Sequence, residues 1–151
     1  MIIIDLYRKL DEFFKGNLDF ERDQDGFIRV PKPVHKNSYF HVKLLDDDPV
    51  CPNMEIKTEK GSNLLIHFHA IPAIYTALIA YGGEMDKGNA INDGPLGGTG
   101  LKLDTVDGFI AHYVHDGKIG KKATKRNTYV LGILAALGLC ECNRNKPARL
   151  I

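Results

Sequence analysis

Cysteine is scarce. Three in 151 residues are too few for a disulfide framework, and an odd count suits a reducing compartment. Long apolar runs are missing as well. The longest, residues 130–140, is eleven residues and holds glycines, whereas a helix spanning a bilayer needs about 20. Met1, Ile2, Ile3, Ile4 and Asp5 place an acid straight after the first apolar residues and offer no basic stretch, so no secretory leader is expected. An excess of one charge is lacking too, with 20 Lys and Arg against 19 Asp and Glu. The apolar fraction of 44% and the charged fraction of 26% are those of a globular chain, which excludes disorder and collagen-like structure. The expectation is a cytoplasmic protein of one domain or two small lobes with a core of its own.

The near-zero net charge hides an asymmetry. Residues 1–101 hold 11 basic and 15 acidic side chains, while residues 102–151 hold 9 and 4. Such a split points to a polyanion facing the second half.

Ile3, Leu6, Tyr7, Leu10, Phe13 and Phe14 recur at helical spacing, and Gly16 is placed to end that helix. Short apolar runs follow at residues 18–22, 27–30, 39–45, 54–58 and 64–69. Asp25-Gly26 gives a hairpin signal between the first two, and turn residues separate the rest. Residues 1–70 therefore read as a helix on a mostly antiparallel sheet, an α+β lobe.

From Ile71 the period changes. Pro72 opens a helix whose inner face carries Ile74, Leu78 and Tyr81, and Gly82-Gly83 stop it. Residues 84–103, rich in Gly and Asn, read as a long loop. A second helix is predicted over 105–115, with Asp104 or Thr105 as cap, and a third over 124–137. Two short strands at 139–142 and 148–151 are joined by a basic turn. Residues 71–151 form the second lobe of this reading, and the two lobes are free to pack as one unit.

Three helices followed by a two-stranded basic hairpin resemble the winged helix-turn-helix superfamily in element order, in the stop LGLCEC after the third helix and in the basic hairpin tip. The loop at 84–103 departs from that pattern in its length. The resemblance implies double-stranded DNA as partner, with the third helix in the major groove, a role as regulator or mobile-element component, and the possibility of a homodimer on two half-sites. Lys121, Lys122, Lys125 and Arg126 stand at or just before the third helix. Cations there oppose the helix dipole, and an anionic partner would relieve that conflict while taking the free N–H groups. Arg126, Asn127 and Thr128 are placed to read base edges, and Arg144, Lys146 and Arg149 to reach phosphate or the minor groove. No cofactor is expected and no catalytic residue stands out, so a non-enzymatic binder is the favoured reading. A protein-only adaptor is its bland counterpart.

Other constellations carry less. Asp48 or Asp46, with Glu55 and Lys57 on a following strand, resembles the PD-(D/E)xK nuclease pattern, and Glu12 could supply a further acid. That resemblance implies a divalent metal held by the carboxylates and a lysine that helps activate water. The plain alternative is a surface hairpin with alternating outward charges. His67 with His69, and His112 with His115, would bind zinc if the two pairs met, but separately satisfied histidines are the simpler account. Residues 94–100, GPLGGTG, lack the ending of a phosphate-binding P-loop and a strand before it, so a flexible connector is expected. By analogy of fold alone, His35, His41 and Lys43 offer ribonuclease-type acid–base chemistry.

Overall fold

The computed structural model describes residues 3–151; Met1 and Ile2, which enter the leader expectation, lie outside the described residues. Helix α1 (Ile3–Lys15) alternates apolar and charged faces. Leu6, Leu10 and Phe13 are buried, while Arg8 pairs with Asp5 and Lys15 with Asp11 at the surface. Its last carbonyls, those of Phe13 and Phe14, accept from the Arg22 guanidinium at 3.1 and 2.5 Å. Gly16 turns the chain at φ +81°, a left-handed conformation that L side chains rarely adopt, which is what favours glycine there. Because Arg22 caps α1, residues 18–22 do not make the expected strand. A single bridge joins Arg22 to Ile28, and the Asp23 carboxylate closes the turn by accepting from Asp25 N and Phe27 N.

Strands β1 (Ile28–Pro31), β2 (Tyr39–Leu44), β3 (Asn53–Lys57) and β4 (Asn63–His67) form an antiparallel meander in chain order. Register sets Val30 beside Phe40, Val42 beside Ile56 and Met54 beside Ile66, which gives one wholly buried apolar face. Strand β4 ends at His67 and not at residue 69. Phe68 N donates to Pro52 O, and His69 already has the helical backbone that starts α2 (Ala70–Ala80). Pro72 sits in the first turn of α2, where its missing N–H costs nothing.

The second half holds β5 (Glu84–Met85), α3 (Val106–Phe109) continuing as a π-helical stretch over Ile110–Val114, α4 (Asn127–Ala136), β6 (Cys140–Glu141) and β7 (Ala148–Leu150). The three short strands form a second antiparallel sheet in the order β5-β7-β6. The stretch read as a loop, 84–103, begins with β5 and then folds around a small core of Ala90, Leu96, Leu101 and Ala111. Leu96 N donates to Lys121 O, Gly120 N donates to Leu96 O, and a Cβ on Gly100 would meet Asp93 O at 2.1 Å. The glycine-rich run is thus a packed segment and not an open connector, because its glycines let backbone lie directly on backbone.

One hydrophobic cluster runs from Leu6 on α1 through the meander and α2 to Ala148 on β7, so the two halves share a core. The fold is α+β with antiparallel sheets. Among the described residues no helix is long and apolar enough to cross a membrane.

Candidate nucleic-acid interface

The start of α4 is built by a residue that sequence reasoning passed over. Thr105 caps α3, its hydroxyl accepting from Gly108 N at 3.0 Å, and this places Asp107 in the first turn. The Asp107 side chain is fully buried. Its Oδ1 accepts from Arg126 N at 2.8 Å and from Asn127 N at 2.7 Å, and its Oδ2 accepts from Ala90 N at 3.0 Å. Burial pushes this carboxyl above its ordinary value. The three amide hydrogen bonds and the charge of Lys125 oppose that shift. A buried acid therefore caps α4 in place of a side chain from its own first turn.

Three expectations change here. Helix α4 begins at Asn127, three residues later than its periodicity predicts, so Lys125 and Arg126 precede it. The conflict between cations and helix dipole is met internally by Asp107, and two of the N–H groups at the helix start are already taken. Asn127 is buried, and its Nδ2 donates to Gly88 O at 2.8 Å, so this amide ties the 84–103 segment to α4 instead of facing a base. Arg126 is half-buried. Its Nη1 reaches Thr124 O at 3.5 Å, and its Nε has no partner among the described residues.

Helix α4 is also covered. None of its ten residues is exposed and none is charged. Strand β1 lies against it. Tyr129 meets the Phe40 ring edge-on at 5.2 Å, and a Cβ on Gly132 would approach Phe40 Cε1 to 2.7 Å. Strand β1 and Phe40 therefore cover this flank of α4.

What stays open is a groove of about 820 Å³ beside the start of α4. Lys125 lines it, together with Arg144 and Lys146 from the β6–β7 turn, where Asn145 takes a left-handed φ of +58°. The groove is lined as well by Lys32 and His35 from the β1–β2 connection and by Lys60 from the β3–β4 turn. Lys87 adds a further cation, its Nζ donating to Asn143 O at 2.8 Å. Six Lys and Arg thus face two acids, Asp86 and Asp93. Lys32, Lys60 and Lys87 were missed because they lie scattered through the acidic half of the chain, with only the Pro31-Lys32-Pro33 break as a local signal, and His35 was read only as a candidate for acid–base chemistry. The remaining candidates lie elsewhere. Lys121 and Lys122 are exposed on the loop before α4 but do not line the groove. Arg149 projects from β7 into an ion pair with Glu141. A second concavity, apolar and about 560 Å³, lies along α1 and α2 between Tyr7, Pro72, Ala77 and Tyr81.

The alternative sites resolve into local structure. Asp48 turns back to accept from Val50 N and Cys51 N, and these amides hold its carboxyl below the usual range. Neighbouring Asp46 is exposed. Glu55 accepts from Asn63 Nδ2 on the next strand, and Lys57 pairs with Asp23 at 3.6 Å over the Phe27 ring. Both alternate outward on β3. Of the histidine pairs, His67 and His115 do meet, their rings stacked at 4.2 Å, and His115 Nε2 accepts from His67 N. Burial, then Arg126 and His67, push the His115 imidazole down to about 3. His112 Nδ1 sits 3.0 Å from Gly117 O, while His69 stands at the head of α2. Among the described residues no three His, Cys, Asp or Glu gather as a metal-holding group. His41 and Lys43 share the outer face of β2, whereas His35 lies in the groove wall.

No family model, no curated protein and no solved structure matches this chain.

Proposed function

We propose that this chain is a nucleic-acid-binding protein that grips phosphates in the groove between its two lobes, with the second lobe arranged as a winged helix. One observation carries the proposal: Lys32, Lys60, Lys125 and the Arg144/Lys146 turn, far apart in sequence, all line one concavity. The helix order α2-α3-α4 with the sheet order β5-β7-β6 supports the winged-helix arrangement. The burial of Asn127 and the covering of α4 give the binding mode its character. Contact is made through the backbone phosphates, which position a partner without reading its sequence. Regulation of nucleic-acid transactions, or a place in a mobile-element machine, follows from such a role.

Salt tests this directly. Log K for a DNA probe should fall linearly with log salt, with a slope of about −0.7 to −0.9 per phosphate engaged, so about −3 to −5 for five cations. The double variant Lys125→Ala/Arg144→Ala should keep its fold and lose about 2 in the magnitude of that slope. A slope near zero for the wild type overturns the proposal.

A further inference from the structure

We infer that the groove accepts a single strand and excludes a duplex, an inference that rests on the nucleic-acid reading above and sharpens it. A protein reads a double helix by placing an exposed helix or ribbon in a major groove about 12 Å wide. Helix α4 has no exposed residue to insert, its first two amides belong to Asp107, and β1 stands against its flank. The cations that line the concavity come from separate segments, Arg144 and Lys146 from one turn, Lys32 and Lys60 from two others. A thin polyanion lying inside the concavity meets them together, whereas a double helix too wide to enter meets only those at its rim. The volume, about 820 Å³, belongs to the range of small-ligand clefts, roughly 300–1,000 Å³, and suits a few nucleotides.

The lining between the charges fits exposed bases. Tyr129 is half-buried in the groove lining and held edge-on by Phe40. His35 adds a second ring to the lining. Stacking on such rings tolerates any base, and in a duplex the base faces are not available to it.

The test compares one labelled DNA strand of about 15 nucleotides, of mixed sequence, with the same strand annealed to its complement. Anisotropy titrations at about 0.1 M salt should show the strand binding at least about tenfold more tightly. His35→Ala, on an exposed connection, should weaken strand binding by about fivefold or more, the loss of one stacked base, and weaken duplex binding less. A duplex that binds as tightly as the strand overturns the single-strand inference but keeps the nucleic-acid reading. An unaltered strand affinity in a folded His35→Ala variant removes the stacking contact from the site and overturns it too. No salt-dependent binding of either probe overturns the nucleic-acid reading itself.

Discussion

Helices α1 and α4 are of similar length and are built on opposite terms. The thirteen residues of α1 carry six charges, and its polar face stays in water. The ten residues of α4 carry none, and none of them is exposed. The first is anchored by one apolar stripe. The second depends on a complete shell, in which a buried carboxylate replaces the water that would otherwise satisfy its first amides. A helix of the second kind positions its neighbours and reaches the groove only through its first residues, Asn127, Thr128 and Tyr129. The cations near its start stand on the segment ahead of it and on the β6–β7 turn.

That contrast sets the order of effects. Asp107→Ala should be the most damaging single change, because it leaves the amides of Ala90, Arg126 and Asn127 unpaired in the interior. At about 1–3 kcal/mol for an unmet buried group, offset by the desolvation cost that alanine avoids, a loss of about 2–4 kcal/mol is expected in urea unfolding. An unchanged midpoint would mean that α4 has another cap. Gly132→Ala comes next. Its methyl group would press on Phe40 across the junction of the lobes, and overpacking of this kind costs about 1–3 kcal/mol. A gain in stability, as expected of alanine in an open helix, would show that the junction yields. Arg8→Ala on α1 should be the mildest. It removes an exposed pair with Asp5, and the melting temperature should move by no more than about 0.5 kcal/mol allows.

Legibility followed locality. Leu6, Leu10 and Phe13 announce the buried stripe of α1, and the cations of the β6–β7 turn stand together in the chain, so helix and turn could both be read. Asp107 could not be read as a cap for α4, because its partners lie 17 to 20 residues away and one acid in a helical pattern looks like surface. The run Asn-Thr-Tyr-Val-Leu-Gly-Ile-Leu-Ala-Ala did carry a signal that goes beyond one stripe: a helix apolar on all sides belongs inside. Arg22 was read as the end of a strand because its guanidinium bond to the last carbonyls of α1 is a tertiary event.

Periodicity, glycine placement and charge distribution were enough to determine the α+β class, the order of the main helices, the four-stranded meander and the basic character of the second half, since each reflects forces acting within a few residues. Which cations share a groove, which side of α4 stays open and which acid caps it were decided only when the meander closed over α4. Those outcomes depend on contacts between segments far apart in the chain, and no local pattern encodes their meeting.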